Sequence, residues 1–168
     1  MFQSETYVVQ DCFIYNTTEI SKTSSNSSTV KEYPYTPFYF TSEHFEMLID
    51  VKFPNVNFAV GLSPSTNSNF QYNISLGIDG GVQHYWRTWK PTSATTNQGT
   101  NSSVVSTTSY VTAKFVYDNG SCSIYVNNTL LITYTGLGTL YTNVNKTFAL
   151  QHWGTGTIYM KNLKIKQL

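Results

Sequence analysis

Residues 44–53, HFEMLIDVKF, alternate. Phe45, Met47, Ile49 and Val51 fall on one parity, and Glu46, Leu48, Asp50 and Lys52 on the other. A period of two with one apolar face is the pattern of a half-buried strand. The same pattern predicts strands over 7–15 (YVVQDCFIY), 57–62 (NFAVGL) and 72–78 (YNISLGI), the last turned by Asp79-Gly80-Gly81 into a hairpin with VQHYWRTW. Further on, YVTAKFVYD, SCSIYV and TLLITYT are separated by Asn119-Gly120 and Asn127-Asn128. Both central residues of a type I′ turn need positive φ, which Gly and Asn tolerate, so this spacing predicts a three-stranded meander over 110–135.

The chain closes with TFALQHW and TIYMKNLKIKQL. In the latter Ile158 and Met160 share one parity, and Leu163 and Ile165 the other. One extra residue near Lys161-Asn162, a β-bulge, brings all four to one face. Lys161, Lys164 and Lys166 then point outward or guard an edge. Two stretches lack alternation. The polar run 16–32 reads as a long loop, and 91–109 as a loop or a weak edge strand. YPYTPF at 33–38, with two prolines, favours extended or turn backbone. No stretch carries a helical period. Ten to thirteen strands joined by Gly/Asn turns predict an all-β fold, two antiparallel sheets packed as a sandwich.

Composition narrows the function classes. At 168 residues the chain is expected to form a single domain, 1–168. Its net charge of +1 supplies no basic footprint for nucleic acid. Charged residues make up 11% of the chain, against roughly 25% in an average globular protein. Polarity comes instead from 18 Ser, 24 Thr and 15 Asn, the surface of many extracellular β proteins and virion appendages. No apolar run is long enough to insert in a membrane. MFQSETYVVQ has neither the basic start nor the apolar centre of a signal peptide, so the chain is expected to be cytoplasmic when made, to be a trimmed piece, or to leave the cell by another route such as release within an assembled virus. Cys12 and Cys122 are expected to be free, buried thiols rather than a structural pair.

The order of elements resembles a known family. TFALQHWGTGTIYMKNLKIKQL resembles the last two strands of laminin-G-like and concanavalin-like jelly rolls, where a G-x-I-x-x-K-N-L-K-I type strand closes the sheet. AKFVYDNGSCSIYVNNTLLITYTG looks like the D-G-x-x-x-x-Y-V-N-G/N hairpin of the same family. VVQDCFIYN and FEMLIDVKF…NFAVGL fall in the expected order, so the resemblance covers nearly the whole chain. In tone it is closest to modules of phage tail and receptor-binding proteins and of surface adhesins. It implies a jelly-roll sandwich, and it leaves function to the site.

Catalytic constellations are missing from the sequence. Retaining glycosidases need two carboxylates about 5 Å apart. Glu43, Glu46 and Asp50 are the nearest cluster, and Glu46 and Asp50 lie roughly 13 Å apart along one strand face. His44, His84 and His152 are scattered, with no nucleophile elbow and no zinc spacing. The resemblance allows calcium, for which Asp79 and Asp118, both at hairpin turns, are weak candidates.

Binding is the reading that remains. HYWRTW, residues 84–89, combines flat rings with hydrogen-bonding groups, which is what sugars need. On a strand, His84, Trp86 and Thr88 share one face and Tyr85, Arg87 and Trp89 the other. Because Arg87 resists burial, Tyr85, Arg87 and Trp89 are the expected outward row. A shift of one residue at the Asp79-Gly80-Gly81 turn exchanges the two faces. In the competing reading Trp86 fills the core and Arg87 merely stacks beside Trp89. His152 and Trp153 sit just before a Gly-Thr-Gly turn, at what the resemblance implies is a sheet end, and Trp153 is expected to pack. The expected function is a non-catalytic module of a virion that binds a cell-surface glycan or receptor. One alternative is a structural virion protein that contacts neighbouring subunits. Another is a carbohydrate-binding module of an adhesin or a glycan-active enzyme.

Overall fold

The computed structural model describes residues 14–24, 30–32, 42–53, 58–64, 74–79, 82–89, 94–100, 108–137, 141, 143, 145–152 and 154–168. Thirteen strands are seen among them. They are β1 (Ile14–Asn16), β2 (Ile20–Ser24), β3 (Val30–Glu32), β4 (His44–Lys52), β5 (Phe58–Pro64), β6 (Ile74–Asp79), β7 (Val82–Trp89), β8 (Ala94–Thr100), β9 (Val111–Asp118), β10 (Ser121–Val126), β11 (Thr129–Tyr134), β12 (Lys146–His152) and β13 (Gly156–Gln167). They form two antiparallel sheets. One has seven strands in the order β1-β13-β4-β9-β10-β11, with β2 also paired to β13; the other has six, in the order β3-β12-β5-β6-β7-β8.

The alternation seen in the sequence sets the core. Phe45, Met47, Ile49 and Val51 of β4 are fully buried, as are Phe115 and Tyr117 of β9 and Ile124 of β10. They meet Phe58, Val60, Leu62, Ile74, Leu76, Phe148 and Leu150 from the six-stranded sheet in one apolar cluster. Both hairpins of the meander turn as their residues require. Asn119 and Gly120 have φ of 43° and 78°, and Asn127 and Asn128 have 48° and 67°. The bulge in β13 is also present. Lys161 pairs with Asp50 and Lys164 with Leu48, so three residues of β13 answer two of β4. Asn162 takes the extra place with φ of 54°, and Ile158, Met160, Leu163 and Ile165 are all buried. β13 lies between β4 and the short strands β1 and β2, so its lysines guard no edge.

Three segments differ from expectation or refine it. The stretch 16–32 holds two strands, β2 and β3, rather than one long loop. An edge strand needs a backbone ladder and little side-chain burial. In β2, Ile20 is buried in the core while Ser21 and Thr23 stay exposed. Residues 94–100 form β8, the edge of the six-stranded sheet, as the weak-strand reading allows. The first strand is described from Ile14, so most of 7–15, with Cys12 and the 33–38 segment, lies outside the described residues. Cys122 is a buried free thiol.

Candidate functional site

The β6–β7 hairpin fixes the two faces of HYWRTW. Asp79 pairs with Val82, so the connection is two residues long. The register then sets Tyr85 against Leu76 and Arg87 against Ile74, two core residues. Directly opposed residues of an antiparallel pair share a face. Positions 85, 87 and 89 therefore have the parity of the core, and His84, Trp86 and Thr88 have the parity of Ser75 and Gly77. This exchanges the faces expected from the reluctance of Arg87 to be buried. The cause is the backbone ladder, which assigns parity whatever side chain a position carries. The side chains of β7 and β8 lie outside the described residues.

The face that positions 84, 86 and 88 share is unusual in composition. On β5 it presents Ala59, Gly61 and Ser63, on β6 Ser75 and Gly77, and on β12 Thr147 and Ala149. All seven are buried. The register joins them into cross-strand rows. One runs Ala149, Gly61, Ser75, Trp86, Asn97, and the next Gln151, Ala59, Gly77, His84, Thr100. The result is a buried trough of small residues in register with positions 86 and 84. At Gly61 the strands approach so closely that a Cβ would sit 1.9 Å from the Ile74 carbonyl oxygen and 2.7 Å from Ser75 Cα. The Ser75 hydroxyl, in the same row as Trp86, is buried and has no hydrogen-bond partner among the described residues. A buried polar group without a partner calls for an explanation, and a ligand is one.

Two of the three carboxylates singled out in the sequence, Glu43 and Asp50, have other work. Glu43 Oε1 accepts from Lys146 Nζ at 2.9 Å and from the Asn143 N–H at 2.9 Å, and Oε2 accepts from the Tyr117 hydroxyl at 3.2 Å. Lys146 is fully buried, donates also to the Ser42 carbonyl at 3.3 Å, and lies 4.8 Å from the Tyr117 ring centre. Burial alone would raise the Glu43 carboxyl. The bonds from Lys146, Asn143 and Tyr117 and the Lys146 charge outweigh it and hold the group below its usual range. Asp50 Oδ1 accepts from Thr112 Oγ1 and Oδ2 from Asn162 Nδ2, both at 2.6 Å.

Metal candidates do not converge. Asp118 Oδ1 lies 2.8 Å from His44 Nδ1 at one end of the seven-stranded sheet, and Asp79 belongs to the six-stranded sheet. Among the described residues no group of three or more His, Cys, Asp or Glu side chains is placed to hold a metal ion. His152 is buried with its ring 5.9 Å from that of Phe58, consistent with packing; Trp153 lies outside the described residues.

Sequence reasoning missed Ser75, Gly61 and the Glu43–Lys146 pair. The signal for the trough was present: in NFAVGLS and NISLG one parity is large and apolar, and the other is Ala, Gly or Ser. No local signal links Glu43 to Lys146, which are 103 residues apart.

No protein-family model and no curated protein sequence matches the chain. Solved structures do. A carbohydrate-binding module, CBM66 from Bacillus subtilis, matches with a TM-score of 0.54 at 13% identity over 75% of this chain and 76% of the module. The endo-β-1,3-glucanase from Pyrococcus furiosus matches with a TM-score of 0.58 at 11% identity, over 77% of this chain and 63% of that one, less than two thirds of its length. A glycoside hydrolase family 16 endo-glucanase from Bacteroides ovatus gives 0.55 and 13%, over 76% and 70%. At such identities the likeness speaks for the fold, and the chain is a β-sandwich of the concanavalin-like jelly-roll type that these carbohydrate-binding and glucanase domains share.

Proposed function

We propose that the chain is a non-catalytic glycan-binding module, extracellular in setting, whose ligand lies along β7 on the trough face of the six-stranded sheet. The observation that carries this reading is the register of His84, Trp86 and Thr88 with the trough of Ala, Gly and Ser. Small residues flank position 86 on β6, β5 and β12, so no bulky neighbour on those strands contends with a sugar ring at Trp86. Ser75 and Asn97, residue types suited to sugar hydroxyls, have register positions in the same row as Trp86.

The carboxylates argue against hydrolysis. In the six strands of that sheet they are Glu32 and Asp79. Glu32 stands opposite Leu150, Leu150 opposite Val60, and Val60 opposite Leu76, three residues from Asp79. That separates the two by roughly 14 Å across the strands and roughly 10 Å along them. Paired glycosidase carboxylates stand roughly 5–9.5 Å apart. The matched structures include a carbohydrate-binding module and glucanases, and they support a glycan-directed module over a virion appendage.

The test is binding to an array of neutral polysaccharides and oligosaccharides by the wild type, His84→Ala, Trp86→Ala and Arg87→Ala, each with a thermal melt. The expected result is a wild-type ligand that folded Trp86→Ala loses and folded Arg87→Ala keeps, with no cleavage of it. Loss on Arg87→Ala alone, or hydrolysis of the ligand, would overturn the reading.

A further inference from the structure

The outer face of the seven-stranded sheet carries an ordered set of positive charges. Lys52 of β4, Lys114 of β9, and Lys161, Lys164 and Lys166 of β13 all project from positions of the half-exposed parity. They are half of the ten basic residues in the chain. The carboxylates of these strands on the same parity are Glu46, Asp50 and, at the far end of β9, Asp118, whose partner is His44.

Tyrosine rings hold three of the ammonium groups. Lys52 Nζ lies 4.5 Å from the Tyr159 ring centre and 5.1 Å from that of Tyr110. Lys161 Nζ lies 4.1 Å from Tyr110, and Lys114 Nζ 4.5 Å from Tyr125. Tyr110 is itself fixed, since its hydroxyl donates to Glu19 Oε2 at 2.7 Å.

The decisive feature is an ion pair that the sheet sets up and does not make. Lys161 and Asp50 are directly opposed in the ladder. Both oxygens of Asp50 instead accept from Thr112 and from Asn162, the bulge residue. Among the described residues no ion pair is formed by Lys52, Lys114, Lys161, Lys164 or Lys166. Three of them, Lys52, Lys114 and Lys161, are thus positioned against rings and not in ion pairs. A ring attracts a cation but leaves its outward N–H groups free to donate.

We propose that this face binds a polyuronate, an acidic polysaccharide with a carboxylate on its sugars. The charges sit in successive rows of the sheet, roughly 7 Å apart along a strand. Between them lie the hydroxyl of Thr112 and the amide of Asn162, whose donors serve Asp50 and whose oxygens are still acceptors for sugar hydroxyls. Five lysines spread over three strands make a moderate charge density, which fits one carboxylate per sugar better than a densely sulfated chain. The ring faces of Tyr110, Tyr125 and Tyr159 are already taken by ammonium groups, so they do not offer the open stacking platform of a single-strand nucleic-acid site. This surface is on the other sheet from the trough, and neither reading depends on the other.

The test is calorimetric titration of the whole chain with polygalacturonate, heparin, dextran and single-stranded DNA. Polygalacturonate is expected to bind and dextran not to bind at this face. Folded Lys52→Gln and Lys161→Gln should each weaken polygalacturonate by about fivefold, and the double variant further. Glu46→Gln should strengthen it by about twofold, and Trp86→Ala should leave it unchanged. Binding should fall steeply with added salt. No polygalacturonate binding, or folded lysine variants that bind like the wild type, would overturn the proposal. Equal or tighter binding of heparin or DNA would reduce the face to a general polyanion surface and would overturn it too.

Discussion

Replacing Glu43 tests how the two sheets are joined at one end of the sandwich. Lys146 opens β12 in the six-stranded sheet, and Glu43 immediately precedes β4 in the seven-stranded sheet, so their 2.9 Å pair bridges the layers. The lysine is fully buried and the Glu43 side chain is 21% exposed. This asymmetry makes the two halves of the pair unequal. Glu43→Gln takes the carboxylate away from a buried ammonium group that keeps the Ser42 carbonyl and the Tyr117 ring, and breaking a buried pair from this side should cost about 3–4 kcal/mol. Lys146→Met leaves a carboxylate that still accepts from Asn143 and Tyr117 and reaches water, so the expected cost is lower, about 2 kcal/mol. For a chain of this length each kcal/mol lowers the Tm by about 2–4 °C, so Glu43→Gln should lose about 6–16 °C. The double variant should be more stable than Glu43→Gln alone. Because the folded pKa of Glu43 is depressed, the stabilisation is complete above its unfolded value, about 4.3, and is lost as pH falls through the folded value. Urea unfolding of the three variants and the wild type at pH 7, repeated at lower pH, measures all of this. A cost below about 1 kcal/mol for Glu43→Gln, or a larger cost for Lys146→Met, would refute the reasoning.

Other substitutions probe particular contacts. Gly61→Ala should cost about 3 kcal/mol or more, because its Cβ would fall 1.9 Å from the Ile74 carbonyl and β5 and β6 would have to part; a thermal melt within about 2 °C of wild type would contradict this. Asn162→Ala should cost about 2 kcal/mol in urea unfolding, from a positive φ and the lost bond to Asp50, and Asn162→Gly should cost less because it relieves the first term. Ser75→Ala should leave the melting temperature unchanged or raise it slightly, since it removes a buried hydroxyl with no partner; a fall of more than about 1 kcal/mol would show that the hydroxyl is satisfied.

The fold was legible where side-chain chemistry and backbone geometry agree. Phe45, Met47, Ile49 and Val51 alternate and are buried, Asn119-Gly120 and Asn127-Asn128 take positive φ, and the parity change after Met160 marks the bulge. β2 and β3 were missed because edge strands are held by backbone hydrogen bonds to β13 and β12, which leave no apolar period in the sequence. The candidate site was chosen by residue type, and the register of β7 exchanges the faces expected for its two rows. The preference of Arg87 for water is a local property, whereas parity along β7 follows from the two-residue connection to β6. The Glu43–Lys146 pair and the Lys52–Tyr159 and Lys161–Tyr110 contacts join residues far apart in the chain, and only the ladder brings them together.

The most direct test of the glycan-binding account is a two-dimensional amide NMR titration of the labelled chain with the neutral glycan selected on the array. The account predicts shifts concentrated at Ser75, Gly77, 82–89 and 94–100, with the amides of β4, β9 and β13 unmoved. Shifts confined to the seven-stranded sheet, or none at a saturating concentration, would contradict it.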